Sequence, residues 1–289
     1  MAALAHRLPT NVPGDFFVDR RCIDCDTCNW LAPASFDRKD AQSRVYRQPA
    51  GAAERRRAEM ALLACPVAAI GTRDKHDLQA ARGAFPERIA DEVYYCGYHA
   101  ESSFGAASYL IVRPAGNILI DSPRFAGPLA RRLEELGGVA TLFLSHRDDV
   151  ADHARFAAHF GCQRILHKDD VGRGTRDVEM QIEGRAPLRL DDAVTLIPVP
   201  GHTRGSTCLL YRETFLFSGD HVAWDPDEAR IVAFRDACWY DWDELKCSMA
   251  RLAAYRFEWI LPGHGRRCHF PAPRMAAEMQ RCLGALARE

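Results

Sequence analysis

Three cysteines at two-residue gaps, Cys22-Ile-Asp-Cys25-Asp-Thr-Cys28, and a fourth far along the chain in Ala64-Cys65-Pro66 constrain this chain more than any other feature. Gaps of two let a single loop turn three thiols towards one centre. A thiol from a distant turn then closes the cage. Thiolates in such a cage are the ligands of iron–sulfur clusters, and proline directly after the fourth cysteine belongs to one such run. Ile23 and Val67 stand where they can shield sulfides from water. Zinc is the competing ligand reading, because C-x2-C loops hold it too. Here, however, Cys65 has no second cysteine beside it. Four unconnected core thiols are the plain alternative. The other seven cysteines (Cys96, Cys162, Cys208, Cys238, Cys247, Cys268, Cys282) have no ordered spacing and read as small apolar filler. The total of 11 is odd, and the first residues lack a basic end followed by an apolar run. A disulfide framework is therefore not expected, and the expected compartment is the reducing cytoplasm.

Charge removes further classes. Lys plus Arg is 38 against 39 Asp plus Glu, so the net charge is −1. Neither nucleic acid nor an anionic membrane surface is an expected partner. No apolar stretch approaches the roughly 18–20 residues that span a bilayer. With 289 residues, 47% hydrophobic and 27% charged, one or two globular domains are expected. Residues 12–74 hold the cysteine cluster. Residues 75–90 are polar, charged and broken by Gly83 and Pro86, which predicts a linker. From 91 to 289 the pattern becomes short apolar strands alternating with helices.

In that last zone the spacing predicts strands at 109–112, 117–120, 141–144, 164–166, 193–199, 207–211, 214–217 and 259–261. Helices are predicted at 125–136, 152–160 and 243–256. Five stretches put histidine or aspartate directly after such a strand: Asn117-Ile-Leu-Ile-Asp121, His146-Arg-Asp-Asp-Val-Ala-Asp-His153, Pro200-Gly-His202-Thr-Arg-Gly-Ser206, Phe217-Ser-Gly-Asp220 and Leu261-Pro-Gly-His264-Gly265. Strand-end loops are where layered α/β folds build sites. A lone histidine is usually a satisfied core or surface residue, but imidazoles and carboxylates repeated in this position suit zinc, iron or manganese.

Two resemblances follow from these residues. With Pro33-Ala-Ser-Phe36 after the triplet and Ala61-Leu-Leu-Ala-Cys-Pro-Val-Ala-Ala-Ile70 at its end, the front segment resembles a single-cluster [4Fe–4S] ferredoxin. That resemblance implies a one-electron cluster held by Cys22, Cys25, Cys28 and Cys65. The motifs around His202, Asp220 and His264 resemble, in order and glycine context, those of the metallo-β-lactamase-fold superfamily. The implied fold is α/β: a four-layered αβ/βα sandwich with a metal site along one edge of its sheets, preceded here by a small α+β ferredoxin-like domain. One or two metal ions, zinc or iron, are implied with it.

The superfamily's first motif is His-x-His-x-Asp-His, and this chain departs from it. Counted from the left, His146 takes the first place, Asp148 the second, Val150 the third and Ala151 the fourth. Counted from the right, Asp152 and His153 form the final pair, and His146 lies two residues too far upstream. The helix closing at Gly161 favours the left-hand register. The resemblance implies metal ligands among His146, Asp148, His153, His202, Asp220 and His264, and Asp148 or Asp152 as the catalytic carboxylate. Asp149 is read as a supporting partner, Asp121 as support for the ligand loops, and His167, His221 and His269 as neighbours. Trp239-Tyr-Asp-Trp242 is read as pocket lining or as an ordinary aromatic cluster.

Three functions are weighed. One is metal-assisted hydrolysis of an ester, thioester or lactone-like small molecule. Another is non-haem iron redox chemistry fed by the cluster, with a redox partner protein. The third is a sensor of redox or iron state without catalysis.

Overall fold

In the computed structural model, which describes residues 2–288, the strand Phe16–Val18 pairs antiparallel with Ile70–Thr72 and so clasps the two ends of the cysteine segment. Phe16, Phe17 and Val18 are all buried, so this pair is covered on both faces. Between them lie the helices Thr27–Leu31 and Gly51–Ala64 and the hairpin Phe36–Lys39 with Gln42–Val45. Asp40 and Ala41 turn that hairpin with φ of 54° and 56°, the left-handed pair that a two-residue turn of this hand requires.

These elements belong to the first of two compact units, residues 2–140 with 151–161. The strands Glu87–Ala90, Val93–Tyr95, Tyr109–Ile111 and Ile118–Ile120 follow as an antiparallel meander in the same unit. The stretch 75–90, expected as a linker, therefore holds regular structure. Asp77 accepts from the Gln79 N–H at 2.9 Å and starts the helix Gln79–Arg82. Gly83 and Pro86 end it, and Ala81 and Phe85 are buried beneath the polar surface that suggested a linker.

His76 ties three parts of this unit together. Its Nδ1 lies 2.8 Å from Glu59 Oε1 and its Nε2 2.7 Å from Asp15 Oδ2. Burial pulls the imidazole down, but hydrogen bonds to Glu59 and Asp15 outweigh it and raise its pKa above 6.5. The stabilisation is complete below the unfolded value and lost as pH rises through the higher folded one. His76→Leu should cost about 1–3 kcal/mol at pH 6 and clearly less at pH 9. Urea unfolding at the two pH values measures it, and an equal cost at both would refute the charged bridge.

The second unit comprises 141–150 and 162–288. Its strands Thr141–Phe143, Gln163–His167 and Met180–Ile182 run parallel. A six-stranded sheet is ordered Leu188–Arg189, Val194–Pro198, Thr207–Tyr211, Phe215–Gly219, Trp259–Pro262, Cys268–His269. Two antiparallel steps bring Val194–Pro198 and Phe215–Gly219 into the same direction, and Trp259–Pro262 joins Phe215–Gly219 in parallel. The loops leaving these three strands thus share one edge of the sheet, and they carry His202, Asp220 and His264.

The helices Trp242–Leu252 and Ala272–Leu286 add Leu245, Met249, Leu252, Met275, Met279, Cys282 and Leu286 to the core of this unit. The first was expected to run to Arg256. It stops at Leu252 because its last N–H groups switch to three-residue bonds, Ala254 to Arg251 and Tyr255 to Leu252. The second was not anticipated, although its buried residues recur at helical spacing. Among the described residues no helix is long and apolar enough to cross a membrane.

Candidate metal centres

Cys22, Cys25, Cys28 and Cys65 line one cavity, closed by Val18, Ile23, Val67 and Ile70. Asp24 and Asp26 take left-handed φ values of 61° and 63°, so the loop coils inward at each cysteine of the triplet. Backbone N–H groups aim at the sulfurs: Ser43 N lies 3.4 Å from Cys22 Sγ and Ala69 N 3.2 Å from Cys65 Sγ. Burial, with the charge of the neighbouring sulfurs, pushes the Cys25 thiol up to about 11 and the Cys28 thiol well above its ordinary value. Four thiolates here need a cationic group among them. Among the described residues no three of these sulfurs lie within 4.8 Å of one another. A zinc site with ~2.3 Å bonds would bring them to about 3.8 Å. The cage is wider than a zinc site.

The second centre is built on the carboxyl ends of strands. His146 follows Thr141–Phe143, and burial pushes its imidazole down to about 3, against the opposing pull of Asp220. Its Nδ1 is 2.9 Å from Ser145 Oγ, so Nε2 is the nitrogen that faces the carboxylates of Asp148, Asp149 and Asp220. His202 Nε2 and His146 Nε2 are both buried with no hydrogen-bond partner. Each lies 3.7 Å from Asp220 Oδ2. Asp148 Oδ2 is 4.0 Å from His146 Nε2 and 3.8 Å from His202 Nε2. Two orphaned imidazole nitrogens facing shared carboxylates fit a divalent ion.

Two groups of donor atoms come within 4.8 Å: His146, Asp148 and His202, and His146, Asp149 and Asp220. Asp149, expected only as a supporting partner, has its Oδ2 4.0 Å from His146 Nε2. His264 belongs to neither group. Its Nδ1 lies 2.9 and 2.8 Å from the two Asp220 oxygens, and its backbone N–H donates to Oδ1 at 3.0 Å. Burial pushes the Asp220 carboxyl up, but the His264 charge and hydrogen bond, with His146 and His202, hold it well below the usual carboxylate range.

Asp152 and His153 also lie outside both groups and in the other compact unit. Asp152 Oδ2 accepts from the Phe125 N–H at 2.7 Å, and His153 is buried as the first residue of the helix His153–Phe160. Asp121 is buried after its strand with a φ of 53°. Of the three neighbouring histidines, His221 is buried, His167 Nε2 faces the Gly184 carbonyl at 2.9 Å, and His269 stacks on Trp259 at 4.4 Å.

Gly263 leaves the room that the carboxylates occupy. A Cβ there would stand 2.6 Å from Asp149 Oδ2 and 2.8 Å from Asp220 Oδ1. Gly263→Ala should weaken ion binding by about 10–100-fold, the range for disturbing groups that orient ligands. Calorimetric titration with zinc alone reads this, and an unchanged affinity would show that Asp149 is not part of the centre.

Asp170 was not visible as a site residue. It is buried and accepts from Thr203 Oγ1 at 2.5 Å, Gly205 N at 2.8 Å and Arg147 N at 3.1 Å. It thereby fastens the loop after His202 to the loop after His146. No spacing rule could have found it, since its partners lie 23 to 35 residues away. Beside Asp148 opens a cavity of about 310 Å³, lined also by Arg147, Val150, Val171 and Thr175. Trp239, 61% exposed, stands 6.4 Å from the His202 ring.

Comparison with known proteins bears on both parts of the chain. The family model of the 4Fe-4S single cluster domain of ferredoxin I matches residues 18–72. A hydroxyacylglutathione hydrolase of Anaeromyxobacter dehalogenans (strain 2CP-C) is 34% identical over 122 residues, 40% of this chain and 46% of that one. The chain thus spans about half the length of that curated relative. The solved structure of VMB-1 is similar with a TM-score of 0.53 at 14% identity, covering 70% of this chain and 95% of its own. That of the BLEG-1 B3 metallo-β-lactamase has a TM-score of 0.49 at 16% identity, covering 63% and 94%. Residues 18–72 thus match a single-cluster [4Fe–4S] ferredoxin domain, and the chain has the α/β sandwich of the metallo-β-lactamase fold.

Proposed function

We propose that this protein is a metal-dependent hydrolase acting on a small ester- or thioester-like substrate at a one-ion site, with the [4Fe–4S] domain as an electron-transfer module. The observation that carries the proposal is the pair of buried, unpartnered Nε2 atoms of His146 and His202 facing the Asp220 carboxylate. Val150 and Ala151 supply no ligand in the third and fourth places of the first motif, which supports one ion over two. The named relative, a hydroxyacylglutathione hydrolase, supports a thioester over a lactam.

A bound ion supplies Lewis acidity and makes water easier to deprotonate. The chain supplies the rest. His146 and His202 offer ring nitrogens, and His264 holds the Asp220 carboxylate in place. The Asp148 side chain is 45% exposed, yet the burial it has raises its carboxyl above the usual range. Its Oδ2 is placed to take a proton from water, and its other oxygen lies 3.8 Å from Arg147 Nε. The adjoining cavity admits the substrate.

Non-haem iron redox chemistry is the second reading. It is favoured by the two-histidine, one-carboxylate set of His146, His202 and Asp220 and by an electron carrier on the same chain. Metal analysis after anaerobic purification separates the two. Zinc beside the cluster iron, with thioester hydrolysis lost in His202→Ala, supports the hydrolase. Additional iron, whose signal changes when the cluster is reduced, overturns it in favour of redox catalysis. No metal beyond the cluster would leave a non-catalytic sensor.

A further inference from the structure

We propose that Thr27, oriented by His99 and Tyr95, donates a hydrogen bond to the Cys25 sulfur and thereby raises the reduction potential of the cluster. The segment 95–105 lies outside the match to the ferredoxin model, so residues foreign to the ferredoxin pattern orient a donor within it.

The Gly105 carbonyl fixes the proton on one nitrogen of His99. His99 Nδ1 makes a short hydrogen bond to the Gly105 carbonyl, which can only accept, so Nδ1 carries the proton. The same Nδ1 is 3.1 Å from Thr27 Oγ1, so the hydroxyl oxygen accepts there. Cys25 Sγ lies 3.4 Å from the same oxygen, and a thiolate holding the cluster has no proton, so it can only accept the hydroxyl's. On the far side of the ring, the Nε2 of the neutral imidazole accepts from the Tyr95 hydroxyl in a second short bond. Each step polarises the next, so Tyr95 strengthens the donor that reaches the sulfur.

The arrangement is built in. Tyr95, His99 and Thr27 are at most 2% exposed. Trp30 packs edge-on to Tyr95 at 5.0 Å between ring centroids. Gly105 has a φ of 87°, and a Cβ there would lie 2.8 Å from Cys25 Cβ and 3.0 Å from its Sγ, so the backbone seats directly on this cysteine. Reduction adds negative charge to the cluster and its sulfurs. A donor to sulfur stabilises that charge, which makes the reduced state easier to reach. Cys22 and Cys65 receive backbone N–H groups, which substitution leaves in place, whereas the donor to Cys25 includes a replaceable hydroxyl.

The test uses the full chain with its cluster reconstituted anaerobically. Iron and sulfide are quantified, and the potential is read by EPR-monitored titration. Thr27→Val should shift the potential to more negative values at unchanged cluster content, and Thr27→Ser should restore it. Tyr95→Phe should shift it in the same direction by less, and the Thr27→Val/Tyr95→Phe double variant should match Thr27→Val alone. An unchanged potential in loaded Thr27→Val overturns the proposal, and so do additive shifts in the double variant. If Thr27→Val does not hold the cluster, Tyr95→Phe, which removes a single hydroxyl, decides: a negative shift supports the relay and an unchanged potential refutes it.

Discussion

Asp220→Ala should abolish ion uptake at the histidine–aspartate centre while leaving the iron–sulfur chromophore untouched. Asp220 is the carboxylate that both orphaned imidazoles face, at 3.7 Å each. It emerges from the strand Phe215–Gly219 at the sheet edge, and His264 grips both of its oxygens. Alanine leaves the two imidazoles with only the exposed Asp148 and with Asp149, whose Oδ2 is 4.0 Å from His146 Nε2. The loss should exceed the ~10–100-fold cost of disturbing a group that merely orients a ligand. His264→Ala provides that lesser comparison, because it removes the grip and keeps the carboxylate. Zinc titration of the purified variants gives both numbers. Equal effects of the two substitutions would mean that His264 is itself a ligand. Loss of the chromophore in Asp220→Ala would contradict two separate centres.

Cys28→Ser should have the opposite reach: loss of the cluster with the second ion retained. Cys28 is the most deeply placed of the triplet, on the helix Thr27–Leu31, and burial makes its thiolate strongly unfavourable without a cationic partner. Serine oxygen is a poor substitute for thiolate on iron, so iron and sulfide should both fall and the visible charge-transfer absorption should vanish. Stability should fall with them. The cage is stitched by the Phe16–Val18 and Ile70–Thr72 pair, but its centre is held by the ligand bonds, whose free energy is folding free energy. A loss of several kcal/mol, about the scale of a structural metal, is expected in denaturant unfolding. A variant as stable as the parent would show that the cluster is a passenger in a self-sufficient fold.

Much of the fold was legible because its strands are apolar and its turns are punctuated. Val194–Pro198, Thr207–Tyr211, Phe215–Gly219 and Trp259–Pro262 each stand out as a hydrophobic run followed by a glycine or proline signal. The same grammar exposed His146, His202 and Asp220. The run 146–153 was ambiguous for a physical reason. It contains carboxylates at positions fitting two registers, and sequence spacing cannot say where a turn ends and a helix begins. In the structure Asp148 and Asp149 lie in the turn, whereas Asp152 is engaged by the Phe125 N–H at the start of the next helix. Asp170 was illegible because its role is to accept from donors on two other loops. The segment 75–90 misled because its polar residues face outward while Ala81 and Phe85 lie inside.

Local covalent spacing settled what kind of atoms this chain can offer: four thiols at cluster intervals, and imidazoles and carboxylates at strand ends. Those properties depend on neighbours a few residues apart, which is the range over which a sequence speaks directly. Only the tertiary structure decided which of the donors face one another. It set Asp149 beside Asp220, turned His264 into a clamp, and seated Gly105 and His99 on the Cys25 side of the cage. Such contacts join residues tens of positions apart, and they exist only once burial and strand pairing have brought distant loops to a shared edge.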